Sequence, residues 1–133
     1  MAIRIVQLGS PRSADEGLRI GTVRRPPRGV PKTEFASRDY YDVWYPELSP
    51  SAELMALGQA AQKSADAKGW QAFDKAFRKA MAEAPAARTL DLLAALSHQG
   101  QFALGCYCAD EAHCHRSILR SLLSERGADF GIS

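Results

Sequence analysis

Three observations predict an α/β fold, a small and largely parallel sheet covered by helices in a Rossmann-like three-layer arrangement. Apolar and polar residues alternate at Ile3–Leu8 and at Leu18–Val23, and a third strand-like run stands at Phe102–Tyr107. Segments of helical period fill the long interval between the second and third runs, and one more follows the third. Parallel neighbours cannot be joined by a tight turn, so strand–helices–strand reads as a parallel crossover. The chain has 133 residues, the length of one ordinary domain, and 1–133 is read as a single α/β domain.

Each element has a local cause. Ile3 and Ile5 alternate with Arg4, and Gly9-Ser10-Pro11-Arg12-Ser13 breaks that strand. Leu18-Arg19-Ile20-Gly21-Thr22-Val23 alternates again. From Arg24 to Tyr41 there is little periodicity. Arg24-Arg25-Pro26-Pro27-Arg28-Gly29-Val30-Pro31 is a loop, because proline removes a donor and fixes φ. Asp42-Val43-Trp44-Tyr45 is a short extended piece ended by Pro46.

The helical part begins at Ser49-Pro50-Ser51-Ala52-Glu53, with Ser49 as cap and Pro50 in the first turn. Leu54, Leu57, Ala60 and Ala61 then make its apolar face. Gly69-Trp70 opens a second helix in which Trp70, Phe73, Phe77 and Met81 recur at helical spacing and are read as core. A third spans Ala86–His98, with Leu90, Leu93, Ala94, Leu96 and Ser97 inward, His98 at its C-terminal dipole and Gly100 as its stop. The last runs from His113 to Arg126 and ends at Gly127.

Composition excludes several classes. Hydrophobic residues are 46% and charged residues 24%, which suits a packed core and not a disordered chain. No run approaches the roughly 18 apolar residues of a membrane helix, so no membrane partner is expected. Met1-Ala2-Ile3-Arg4-Ile5-Val6 lacks a signal-peptide pattern. With three cysteines, an odd number, a cytoplasmic location with free, metal-bound or reactive thiols fits.

The chemistry gathers in Gly105-Cys106-Tyr107-Cys108-Ala109-Asp110-Glu111-Ala112-His113-Cys114-His115-Arg116, which holds every cysteine and two of the three histidines. Cys106 and Cys108, at i and i+2, face one side of a strand. Cys114, His115 and Arg116 fall in the first helical turn, where free N–H groups and partial positive charge favour an anion or a thiolate. Four readings stay open: small core cysteines, an anion site with Cys114 as nucleophile, zinc held by Cys106, Cys108, Cys114 and His113 or His115, and thiol redox pairing Cys114 with Cys106 or Cys108. His113-Cys114, five residues and Arg120 spell the cysteine-phosphatase signature. Those five residues contain no glycine to wrap a phosphate, which argues against that chemistry.

Arg24, Arg25 and Arg28 surround two prolines and read either as a solvated basic loop or as an anion clamp. If this loop and Cys106 both leave the carboxyl ends of parallel strands, they share the usual ligand edge of an open α/β sheet. Tyr40, Tyr41, Trp44 and Tyr45 cover a core or stack a base.

These residues carry a resemblance. Cys106, seven residues and Cys114-His115-Arg116-Ser117 resemble the strand–loop motif of the domain-of-unknown-function 488 family. Leu18–Val30, with Pro27-Arg28-Gly29-Val30-Pro31-Lys32, is similar to its YeaO-like branch, and so is Tyr45-Pro46-Glu47-Leu48-Ser49-Pro50-Ser51. The resemblance covers most of the chain and implies an α/β fold with the motif at a strand-to-helix turn. It implies no established activity. Cys108 stands where the resemblance implies an acidic residue.

The sequence thus points to a pocket for an anionic small molecule, with Cys114 and His115 as catalytic residues and Arg24, Arg28, Cys106 and Arg116 as ligand-binding residues. It assigns no metal and no cofactor. The competing classes are a nucleotide or nucleic-acid binding module built on the Arg24–Gly29 loop and a zinc-stabilised structural protein.

Overall fold

Four parallel strands form one sheet in the order β1-β4-β2-β3, with β1 at Ile3–Gln7, β2 at Leu18–Gly21, β3 at Val43–Trp44 and β4 at Phe102–Cys106. The computed structural model describes residues 2–109 and 111–130. Strand β4 is central and buried at every position. Its Leu104 lies level with Ile5 of β1 and Ile20 of β2. The short extended piece around Val43 is the edge strand β3, paired to β2. This is the α/β fold with a parallel sheet that the periodicity predicts.

Helices α1 (Ala52–Ser64), α2 (Ala67–Met81) and α3 (Ala86–Leu96) fill the crossover from β3 to β4, and α4 (His115–Glu125) follows β4. Ile3, Ile20, Phe102 and Leu104 pack with Phe73, Phe77, Leu90, Leu119 and Leu123 in the main core. Phe77, Leu90, Leu104 and Leu119 are completely excluded from water, each contributing about 1.5–3 kcal/mol relative to exposure. Among the described residues, no helix is long and apolar enough to cross a membrane.

Several local expectations change. The cap of α1 is Ser51, whose hydroxyl accepts from the Leu54 N–H at 3.2 Å. Ser49 is unsuited because its hydroxyl donates to the Pro46 carbonyl at 2.7 Å. Leu57 and Ala60 are exposed, because α1 lies on α2 through Gly58 and Ala61. A Cβ at position 58 would stand 3.0 Å from the Phe73 ring, so glycine permits that approach. Leu96 is also exposed, since α3 ends there. Helix α4 starts at His115 after a 3-10 turn at Glu111–His113, two residues later than expected. His98 bonds the Gly127 carbonyl beyond α4 at 2.8 Å.

The other face of the sheet is closed by loops around one charge. Arg19, on β2, is completely buried. Its Nε donates to Glu16 Oε1 at 2.6 Å and its Nη2 to Glu16 Oε2 at 3.1 Å. Its Nη1 donates to the carbonyls of Ser10 and Asp39. Arg12 and the Arg19 amide both donate to the Asp42 carboxylate. Arg19 is therefore a structural residue and no part of the basic loop.

Removing one partner of a buried pair leaves the other uncompensated, so Arg19→Met should lower the unfolding free energy by about 3–5 kcal/mol in urea titration. Burial opposes the charged form of Glu16, but the Arg19 guanidinium and the Ser13 N–H outweigh it and hold the carboxyl below its ordinary value. A depressed acid stabilises the fold fully above that ordinary value and loses the effect as pH falls. The urea midpoint should therefore drop on acidification below about pH 5, and drop less in Glu16→Gln. Equal pH slopes in the two proteins would refute the assignment.

Candidate functional site

Strand β4 stops at Cys106 because its neighbours do, β1 at Gln7 and β2 at Gly21. The chain then turns through Tyr107, Cys108 and the 3-10 turn into α4. That return brings Cys114 back over Cys106, their Sγ atoms 2.8 Å apart and both residues 2% exposed. Cys108 is off the strand, so the expected same-face pair with Cys106 gives way to a loop cysteine that is half-buried. It packs against the small cluster that holds both other thiols. All three cysteines are free.

His115, the first residue of α4, is buried with Nε2 2.7 Å from the Thr22 carbonyl. A carbonyl only accepts, so Nε2 carries a hydrogen. Its Nδ1 stands 3.7 Å from Cys114 Sγ. Phe77 holds the ring edge-on at 5.7 Å. Arg116 is also buried, donating through Nη2 to the Cys108 carbonyl at 2.5 Å. Its buried Nε has no hydrogen-bond partner among the described residues, and its charge sits beside Cys106 and Cys114.

This arrangement divides the thiols. Hydrogen bonds to Cys108 and Cys114, with burial, push the Cys106 thiol up, so it stays protonated and donates. Cys108 receives hydrogen bonds from Cys106 and Cys114, faces the Arg116 charge and the Gln62 amide, and is pushed down to about 3. Cys114 is lowered by Cys106 and helped by His115. The thiolate therefore rests toward Cys108, the least buried sulfur.

Cys108 opens onto a cavity of about 590 Å³ between α1, α2 and the turn, lined also by Gln62, Asp66, Trp70, Gln71 and His113. That volume lies within the roughly 300–1,000 Å³ of small-molecule sites. A second space of about 60 Å³ shares Gln62, Trp70 and Cys108 with it and is lined also by Cys114 and His115. Trp70 borders both, so it is half core and half wall, packing on Phe73 at 5.0 Å and on His113 at 5.6 Å.

The structure brings Cys106, Cys114, His115 and Arg116 together. Arg24 and Arg28 are exposed on their loop and line neither cavity. The loop is nevertheless joined to the site, because Tyr107 Oη donates to the Arg25 carbonyl at 2.8 Å. Arg120 turns away to Glu111 at 2.8 Å and to the Phe130 ring at 5.1 Å, so the phosphatase spelling has no counterpart in space. Cys106 Sγ, Cys114 Sγ and a His115 nitrogen lie within 4.8 Å of one another, a donor set that soft cations take.

Sequence reasoning underrated Cys108 and missed Gln62 and the cavity face of Trp70. The spacing of three cysteines within nine residues was a signal for Cys108. Gln62 and Trp70 come from α1 and α2, and no local pattern joins them to the motif.

Residues 3–127 match the family model described as DUF488-N3a, active DUF488-N3 subclade. No curated protein and no solved structure gives a significant match.

A thiol at about 3 is already ionised in ordinary buffers. Alkylation of Cys108 by iodoacetamide should then proceed at a level rate from about pH 5 to 9. Mass spectrometry should place the first adduct on Cys108 and lose it in Cys108→Ser. A rate that climbs tenfold per pH unit toward a midpoint near about 8.5, as an ordinary thiol does, would overturn the assignment.

Proposed function

The chain belongs to the DUF488 family, and from that premise we propose that it is a thiol-dependent enzyme. Cys108 is its reactive thiolate, facing a small polar ligand bound against Trp70. The observation that carries this reading is the position of Cys108, packed against the cluster of the other two thiols and at the wall of both cavities. The family description of an active subclade supports it.

The roles follow from exposure. Cys114 and His115, first read as the catalytic pair, lie behind Cys108 and are buried. Cys106 and Cys114 are the hydrogen-bond partners that hold the Cys108 thiolate. His115, oriented by the Thr22 carbonyl, holds Nδ1 beside the Cys114 sulfur. Arg116 and the α4 N-terminus stabilise the thiolate itself, so the anion they serve is in the chain. Gln62, Gln71 and Asp66 supply polar contacts for the ligand, and the cavity wall holds no arginine. Three free thiols in contact suit a reducing compartment, the cytoplasm.

A zinc site is the second reading, favoured by the Cys106, Cys114 and His115 donor set. Against it, the two sulfurs are 2.8 Å apart. Two Zn–S bonds of about 2.3 Å at a tetrahedral angle separate their sulfurs by about 3.7 Å. Metal analysis of protein purified without added metal decides between the readings. Below about a tenth of an equivalent the zinc reading ends; near one equivalent, with Cys108 protected from alkylation, the thiol reading ends.

Aromatic chloroacetamides test the cavity directly. Labelling of Cys108 should saturate with reagent concentration. Trp70→Leu should raise the half-saturating concentration about 3- to 10-fold, leaving the maximal rate within about twofold. Labelling without saturation, or an adduct on Cys106 or Cys114 instead, would remove Cys108 and Trp70 from the site.

A further inference from the structure

We propose that the carboxyl edge beside the thiol site is a binding surface for single-stranded nucleic acid, gripped by Arg24, Arg25 and Arg28 and stacked by Trp44 and Tyr107. This surface lies apart from the cavity that Cys108 lines, and the proposal does not rest on the thiol-enzyme reading.

The first observation is charge without internal purpose. Arg4, Arg12, Arg19, Arg38, Arg78, Arg120 and Arg126 each pair with a carboxylate. The guanidiniums of Arg24, Arg25 and Arg28, like that of Arg88 on α3, engage no hydrogen bond or ion pair among the described residues, and all four are exposed. Three like charges within five residues repel, and an external anion relieves that repulsion.

The second observation is that this loop is held in place. Proline fixes φ at positions 26 and 27. Trp44 Nε1 donates to the Val23 carbonyl at 2.8 Å, and Tyr107 Oη donates to the Arg25 carbonyl at 2.8 Å. The loop is thus pinned to the edge strand on one side and to the thiol turn on the other, and its cations are partly preorganised.

The third observation concerns those two anchors. Trp44 is 45% and Tyr107 38% exposed, large values for aromatic rings. The polar atom of each is turned to the loop backbone, so each ring shows solvent mainly its apolar surface. Guanidiniums flanked by exposed rings are the combination that binds single strands, cations for the backbone and rings for unpaired bases. A single phosphate would use one cluster of donors and no ring. A duplex keeps its base faces stacked and gives the rings nothing to cover.

The test is fluorescence anisotropy of a labelled oligothymidylate of about 20 nucleotides with the full chain. Three phosphate contacts at about 0.7 log units each predict an affinity that falls about 20-fold between 50 and 200 mM salt. The variant R24Q/R25Q/R28Q should lose most of that salt dependence while melting at the wild-type temperature. Trp44→Leu should weaken binding about 5- to 100-fold. No binding at 50 mM salt, a triple variant that binds like wild type, displacement by millimolar inorganic phosphate, or tighter binding of the matching duplex would each overturn the proposal. Cys108 alkylation is read in parallel. Oligonucleotide binding without fast alkylation sinks the thiol reading and keeps this surface; fast alkylation without binding does the reverse.

Discussion

The buried guanidinium of Arg19 holds together the half of the molecule that the helices do not. A charge with no water must find donors' partners inside, and Arg19 finds them in Glu16 and in the carbonyls of Ser10 and Asp39. Those partners belong to the two loops that cover the second face of the sheet. With the loops in place, Tyr41 lies on Gly21, where any side chain would collide with its ring. Breaking such a pair costs more than forming it contributes, because what remains is an isolated buried charge. The interaction therefore selects one arrangement of the loops more than it adds stability.

The candidate site depends on the same strand. Three residues beyond Arg19, Thr22 leaves β2, and its carbonyl fixes the tautomer of His115. The Thr22 hydroxyl in turn donates to the Gly105 carbonyl at 3.0 Å, so β2 and β4 are locked just before Cys106. A rigid frame is needed because the thiols act on one another through short contacts. Displaced sulfurs would lose the hydrogen bonds that hold Cys108 down and Cys106 up. Arg116 strengthens the asymmetry, since a cation out of water is weakly screened.

A consequence is that positive charge at the carboxyl edge is divided by burial. Arg116 is inside and committed to the thiols, whereas Arg24, Arg25 and Arg28 are outside and, among the described residues, uncommitted. The cavity between α1, α2 and the thiol turn has no arginine in its wall. The expectation of one pocket lined by all these arginines joins two separate environments, linked among the described residues through Tyr107 and the Arg25 carbonyl.

What the sequence by itself determined was whatever depends on near neighbours. The periods of two and 3.6 placed the strands and helices, and the crossover rule made the sheet parallel. The step from Cys106 to Cys114 could be put at a strand-to-helix turn, with Arg116 in the first helical turn. Tertiary structure decided the rest. Ser51 and not Ser49 caps α1, because the preceding turn takes the Ser49 hydroxyl. Cys108 leaves the strand because β1 and β2 end beside Cys106. Trp70 has a free face because α1 and α2 part there from the thiol turn. Above all, which sulfur carries the charge depends on desolvation and on contacts between segments far apart in the chain. Hydrophobic pattern is a local property of sequence; ionisation is a property of the space around an atom.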